Sequence, residues 1–486
     1  MSNNTTVIDR IVFDGVEYCY TTFTAQEKAD LRGIKDMYHG EGGFKNGSYL
    51  EKFPREGDGS TVNGEVTTDF YGNRKKIAHY ENIFAPNIDA KVDAIFAKDQ
   101  VRRIENAIVQ QFVYSPTLRR GESMGEYQRR KLLSLKIFGS VFEIVDAPNA
   151  TIENGAFNGS AEMMPWTYYI TPLETVGYNI DNGGALDMLV YYEDIDTRSE
   201  GLYNSSNISK DSDSLRVWLK TKDGRFVTFK YENDSVYDAI PLDSFPVDLL
   251  EDNTRYEANK IARSKYLGEL SIAKKIYNIT SWFNDSFFKN CFAFLAINGK
   301  LSSDIDLSNS SIFMYSGEGV NAPDYVAPPV AHLETMIKEV ERLVQQLNSN
   351  MNSVIYISVM ASGEARKEAD KTRIQQQKQD ARKLEENESW LVNVALKNYL
   401  EFSEEYSVLY IKDYESLTKS DELEPLQVLI DSGAMKQNVI YEIGNDMIAI
   451  AYSSDPARVE ELQKLQRESV DDTQNDAFSN IPQIEE

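Results

Sequence analysis

Between residues 266 and about 400 the apolar and polar positions follow each other regularly enough to be read as a succession of elements. Ile272, Ile276, Ile279, Phe283 and Phe287 recur three or four apart, so they share one face of a helix over 266–290. A compact insert closes at 322–329 on a proline pair, and the next helix begins just after it. Leu333, Met336, Ile337, Val340, Leu343, Val344 and Leu347 repeat the helical spacing over 331–350. An apolar, β-branched run follows at 353–360 and ends in Ala361-Ser362-Gly363. The stretch 364–400 is dominated by Lys, Arg, Glu, Gln and Asp and reads as a long polar helix. Trp390, Leu391, Val394 and Leu400 give its far end a buried side, and its first half reads as solvated or as an intersubunit surface. Two helices with buried faces around a small insert, then an apolar loop and a long polar helix, suit a subunit of a ring. They do not suit the walls of an enzyme pocket.

The rest of the chain is patterned differently. Residues 1–79 are rich in Gly, Asn, Thr and charge, with strand-like pieces such as 11–16 and loops at 40–43 and 56–64. From 80 to 138 the pattern is helical, and 139–245 is mainly β. Val217, Leu219 and Thr221 alternate with Trp218 and Lys220; Lys222-Asp223-Gly224-Arg225 turns the chain and 226–231 returns, a hairpin with an Asp-Gly turn. Trp166–Ile170, Thr175–Ile180 and 186–193 read as further strands, 201–214 as a polar loop and 246–265 as a link. A strand is expected at 406–411, and short helices around 425–432, 439–443 and 456–470, before an acidic tail without Lys or Arg beyond Arg467. No internal repeat is visible.

Composition narrows the function classes. With 486 residues the chain can hold two or three domains or one elongated subunit, and an apolar fraction of 41% is too high for general disorder. A net charge of −26 argues against capture of DNA phosphates or anionic lipids by simple attraction. Cys19 and Cys291 form no disulfide framework or metal-spaced cluster, and fit assembly in a reducing cytoplasm. The start lacks the basic and apolar regions of a secretory signal, and no run is apolar for the length of a spanning helix. There is no P-loop, no His-Glu-x-x-His and no nucleophile elbow, so no catalytic activity and no cofactor are expected. His39, His79 and His332 lie far apart. Asp89 and Asp93 sit one helical turn apart and could offer two carboxylates to a metal. With no third ligand near in sequence, two solvated or salt-bridged acids account for them. Asp304 and Asp306 stand among Ser302, Ser303, Ser308 and Asn309, which favours a polar turn.

Several blocks in this order resemble the portal protein of tailed double-stranded-DNA bacteriophages. Tyr80-Glu81-Asn82-Ile83-Phe84-Ala85-Pro86-Asn87-Ile88-Asp89-Ala90-Lys91-Val92-Asp93 resembles that family's early helix, and Phe138-Gly139-Ser140-Val141-Phe142-Glu143-Ile144-Val145 its helix–Gly–strand unit. Phe245-Pro246-Val247, Glu251-Asp252-Asn253 and Gly268-Glu269-Leu270 resemble the approach to its stem. Ala331-His332-Leu333-Glu334 resembles the start of its second stem helix, and Ser362-Gly363-Glu364-Ala365-Arg366 the exit of its tunnel loop. Together these blocks cover about 80–400. The resemblance implies an α+β portal fold: an N-terminal wing at 1–265, a first stem helix at 266–291, a small α/β clip at 292–330 and a second stem helix at 331–350. A tunnel loop at 351–363 follows, then a long wing helix with a return strand at 364–411, and a mostly helical crown with the acidic tail at 412–486. It also implies a homo-oligomeric ring, a dodecamer, at one vertex of the virion, assembled in the host cytoplasm. Its partners would be the DNA in its channel, the terminase large subunit, the head–tail adaptor, and the major capsid and scaffold proteins; no membrane is involved. Val354, Ile355, Tyr356, Ile357, Ser358, Val359 and Met360 would form the tunnel loop, though a buried strand is the plain alternative reading. Lys338, Arg342, Gln345 and Gln346, with Lys274 and Lys275 of the partner helix, would face the channel, or else form ordinary solvated faces. A minor capsid or adaptor protein of a phage particle, and a metal-dependent nucleic-acid-processing enzyme using Asp89 and Asp93, are the competing classes.

Overall fold

The computed structural model describes residues 8–412, apart from 54–55, 58–60, 63–64, 67–68, 118–121, 148–163, 193–213, 291–293, 299–311, 316–323, 327–330 and 352–362; beyond 412 it describes only Leu462 and Lys464. Two compact units are present, Met1–Lys412 and Asp413–Glu486. The helices expected around 425–432 and 439–443, the acidic tail and the tunnel-loop residues 354–360 lie outside the described residues.

The first unit opens with β1 (Ile8–Phe13) and β2 (Val16–Thr22). The expected single strand at 11–16 is instead a hairpin. Asp14 and Gly15 take φ of 48° and 74°, the left-handed pair that a tight turn between twisted strands requires. Helix α1 (Ala25–His39) follows, started by a reciprocal capping box between Thr24 and Glu27 and ended at Gly40 in the left-handed region. Helix α2 (Gly43–Asn46) begins inside the expected glycine loop, and α3 (Phe70–Ile77) follows two short strands, β3 (Thr61–Val62) and β4 (Glu65–Val66). The helical stretch resolves into α4 (Phe84–Phe96), α5 (Ala107–Tyr114) and α6 (Met124–Phe138), with an unexpected strand β5 (Val101–Arg103) between α4 and α5.

Helix α6 ends at Gly139, φ 84°, and the chain enters β6 (Ser140–Asp146) directly, as the helix–Gly–strand block suggested. Then come β7 (Trp166–Ile170), β8 (Thr175–Ile180), β9 (Leu186–Tyr192), β10 (Leu215–Lys220), β11 (Phe226–Glu232), β12 (Ser235–Leu242) and β13 (Val247–Glu251). The β10–β11 hairpin turns through Gly224 as expected. The last strand, β13, lies in the stretch read as a link.

Strands β1, β2 and β8–β12 form one seven-stranded sheet in the order β1-β2-β8-β9-β10-β11-β12, and β13-β6-β7 form a second. The large sheet is curled. Phe13 of β1 stacks on Phe229 of β11 with ring centroids 4.9 Å apart, although four strands separate them in the sheet. Flat pairing would hold those two strands roughly 24 Å apart. Met188, Val190, Val217, Leu219, Val227 and Phe229 fill the inside of the curl. The alternate residues Leu189, Tyr191 and Trp218 point the other way, onto Phe142, Ile144, Tyr168 and Ile170 of the smaller sheet. Both faces are therefore buried. Trp218 Nε1 donates to the Tyr191 hydroxyl at 3.0 Å, which satisfies the indole inside that core.

The remaining elements are α7 (Leu267–Asn290), the insert strands β14 (Phe294–Asn298), β15 (Ile312–Tyr315) and β16 (Asp324–Val326), α8 (Ala331–Asn350), α9 (Gly363–Trp390) and β17 (Ser407–Leu409). A π-helical turn (Leu391–Ala395) and a short 3₁₀ turn (Leu396–Asn398) end the run of α9. The return strand β17 pairs antiparallel with β5.

Candidate functional site

Helix α7 is held on two sides. Its root is Tyr266, whose ring meets Phe84 of α4 edge-on at 5.3 Å and whose hydroxyl accepts from Lys91 at 3.3 Å. One face lies on the N-terminal helices. Leu270 fills the space left at Gly33, where a Cβ would meet its Cδ2 at 2.6 Å. Asn278 accepts from the Glu51 backbone at 2.7 Å and donates to the Tyr49 carbonyl at 3.0 Å, and Tyr277 packs edge-on against Phe44. The opposite face, built from Ile272, Ile276, Ile279 and Trp282, packs on Met336, Val340, Leu343 and Val344 of α8. Apart from Trp282, these residues come from the two stripes that the spacing marked.

The two helices run antiparallel. Lys275 of α7 pairs with Glu339 of α8 at 3.0 Å, and Asn348, near the end of α8, accepts at 3.2 Å from Asn87 of α4, the helix that holds Tyr266. The described part of the insert at their other ends is a three-stranded sheet in the order β15-β14-β16; β14 is parallel to β15 and antiparallel to β16. The apolar run after α8 is bracketed by Met351, which is buried, and Gly363, which opens α9.

The structure separates the sequence-derived candidate cations. Lys274 lies over the Tyr49 ring, 4.0 Å from its centroid, on the side of α7 that faces the N-terminal helices. Lys338, Gln345 and Gln346 belong to α8, where Gln345 and Gln346 are exposed. Arg342 is engaged by its own helix. Its Nε donates to Glu339 Oε2 at 2.7 Å, a second guanidinium nitrogen to Oε1 at 2.9 Å, and the third to Gln346 at 3.3 Å. With Lys275 on its other side, the hydrogen bonds from Arg342 and Lys275 hold the Glu339 carboxyl down at about 2.

The least legible part of the site is the seam under α9. Leu391 and Leu400 are buried as expected, but Trp390 is half-buried and Val394 is exposed. The residues that dock α9 are polar as often as apolar: Asp380, Asn387 and Glu388 are buried beside Ala381 and Leu384. Lys136 of α6 donates to Asp380 at 2.7 Å and also pairs with Asp252, whose other oxygen lies 2.8 Å from Lys265. Lys131 of α6, fully buried, donates to both oxygens of Glu143 at 2.9 Å and to Asn387, which donates in turn to Asp248 at 2.9 Å. Glu388 takes the Arg102 guanidinium at 2.7 Å and the hydroxyls of Tyr406 and Tyr410. Burial alone would raise Asp252, but Lys136 and Lys265 outweigh it and hold the carboxyl at about 2. Lys91, beside the same cluster, is pushed down to about 8 by burial and by Lys265 and Lys136.

Asp89 and Asp93 have different partners. Asp89 accepts from the Tyr38 hydroxyl at 2.6 Å, and Asp93 from Arg129 Nε at 2.9 Å. Among the described residues no group of three or more His, Cys, Asp or Glu could hold a metal ion, and no helix is long and apolar enough to cross a membrane.

No family model matches the chain, and no curated protein does. Among solved structures, one titled "Neck of empty GTA particle computed with C6 symmetry" is similar at 10% identity and a TM-score of 0.37, covering 73% of this chain and 86% of that one.

Proposed function

We propose that this chain is a portal subunit of a tailed double-stranded-DNA bacteriophage. In this reading it forms a ring at one vertex of the capsid, seeds procapsid assembly with the scaffold and major capsid proteins, and passes the genome inward and outward. It docks the terminase large subunit during packaging and the head–tail adaptor afterwards. Its work is mechanical, with the ATP-hydrolysing chemistry left to the motor and no cofactor of its own.

The observation that carries the reading is the arrangement of α7 and α8. They form an antiparallel hairpin in which α7 is sandwiched and α8 is exposed on its outer side. The hairpin carries a separate small sheet at its far end and is followed by α9, which runs back into the body and is fixed there by the ion-paired seam. Sandwiching α7 leaves α8 as the layer that meets something outside the subunit. Phe287 stays 49% exposed on the hairpin, apolar surface that a neighbouring copy would cover. Head-to-tail contacts of one surface with a different surface close into a ring when the rotation fits.

Negative-stain microscopy of the purified chain, and of virions labelled on it, tests the proposal. Closed rings with a central channel at one vertex are expected. A chain that is strictly monomeric both at micromolar concentration and in the assembled particle would overturn it.

A further inference from the structure

The outer face of α8 is polar and exposed. Glu334, Glu341, Arg342 and Gln345 are all exposed there, and Ile337 is its one large apolar residue. So polar a face carries little of the apolar surface that the core of a stable protein contact buries. Its charges cancel: Glu334, Glu339 and Glu341 stand against Lys275, Lys338 and Arg342, all within one stretch of the hairpin. The cancellation is also local. Glu339 sits between Lys275 and two nitrogens of the Arg342 fork, and Arg342 spends its remaining nitrogen on Gln346.

We infer that Glu339 is a built-in neutraliser that keeps this face from gripping the phosphates of duplex DNA. The inference rests on the portal reading above, which supplies the duplex. A polyanion is held by a protein in proportion to the phosphates that free cations neutralise, because each neutralised phosphate releases counterions. Lys275 and Arg342 already have a carboxylate between them, so a passing phosphate must compete with a bidentate partner fixed on the same helix. The individual ion pair is exposed and adds little to stability. That does not weaken the effect, since charges this close cancel at a distance of about 10 Å whether or not the pair is tight. The exposed amides Gln345 and Gln346 offer hydrogen bonds without net charge.

The test is binding of a short, fluorescently labelled duplex by the full chain, in whatever assembly it forms, across a series of salt concentrations. The parent should show a shallow dependence of log affinity on log salt. Glu339→Gln releases two cations and should bind more tightly at low salt, with a slope steeper by about 0.9 for each further phosphate neutralised. Arg342→Gln should stay close to the parent. If Glu339→Gln disturbs folding, Glu341→Lys changes the charge of the same face at an exposed residue, and the same steepening is expected. A Glu339→Gln or Glu341→Lys protein that folds and binds like the parent would overturn the inference, as would a steep parent slope that Arg342→Gln abolishes. Microscopy of the same samples keeps the two ideas apart: rings with unchanged slopes sink only the neutraliser, and a steepened slope in a chain that never forms rings, even in the virion, sinks only the portal.

Discussion

Gly139 meets two requirements at once, and the chain offers a control for each. Its φ of 84° is in the region that side chains avoid, and its backbone N–H closes α6 on the Leu135 carbonyl. A Cβ there would also lie 2.4 Å from the carbonyl carbon of Arg263, in a backbone segment that cannot swing aside. Gly224, in the β10–β11 turn, has a nearly equal φ of 85° but nothing within 4 Å of its Cβ position. Gly224→Ala should therefore cost only the conformational term, about 1 kcal/mol. Gly139→Ala should cost more, about 3 kcal/mol, because backbone must move as well. Urea unfolding of the two variants checks this. Equal losses would mean that the α6–β6 corner relaxes freely and that the approach of 263–264 is unimportant.

At the scale of elements, α9 is attached by charge where a helix is usually attached by apolar surface, and Asp252 is the point where that attachment reaches the root of the hairpin. It pairs with Lys136, which also holds Asp380 of α9, and with Lys265, next to Tyr266. Its carboxyl falls from 3.8 to about 2 on folding. A depressed carboxylate contributes stability above its unfolded value and loses it as the pH falls from about 4 to about 2; a shift of this size corresponds to roughly 2 kcal/mol. Asp252→Asn should cost about 3 kcal/mol at neutral pH, since it leaves the buried Lys136 short of a partner. It should also flatten the decline of stability over that acid range. A variant whose urea midpoint falls with pH as steeply as the parent's would show that the two lysines do not hold this carboxylate. The same seam marks the limit of what the sequence discloses. Trp166–Ile170, Thr175–Ile180 and Ala331–Asn350 are readable to the residue, because alternation, helical spacing and breakers are local signals. Asp380, Asn387 and Glu388 look like the solvated side of a polar helix until Lys136, Lys131 and Arg102 are brought against them from far away in the chain. Helix α1 is hidden for a related reason: Leu31, Ile34 and Met37 are buried, but the charged residues between them blur the stripe. The hairpin core is legible, and the direction of its charges is not; Lys274 and Lys275 are neighbours on α7 that point to different partners.

For the molecule as a whole, the decisive separation is between the hairpin and the sheet at its far end. Among the described residues, the hairpin core is Ile276, Ile279 and Leu343 with Ile272, Trp282, Met336, Val340 and Val344, all from the two helices themselves. The insert sheet depends on its own connection. Strands β14 and β15 are parallel, paired from Leu295 with Ile312 to Asn298 with Tyr315, so the chain must cross from the end of one back to the start of the other. Parallel neighbours need a connection of about a dozen residues, and 299–311 supplies it. Deleting 300–311 would leave too little chain to make that crossing. The sheet must then come apart or re-pair antiparallel, while α7 and α8 keep the apolar core that holds them together. On the portal reading the insert is the clip, which meets the motor and later the adaptor, and the hairpin is the stem. The deletion should therefore leave helix content and rings intact and yield particles that are empty of DNA or lack tails. Substituting polar residues within 300–311 without shortening it should preserve the sheet and give a milder defect confined to one partner. Microscopy of particles made with each variant separates the outcomes. Tailed, DNA-filled heads from the deletion would mean that the sheet at the tip of the hairpin is not where the motor and the tail attach. Loss of rings would mean that the insert is part of the assembly interface.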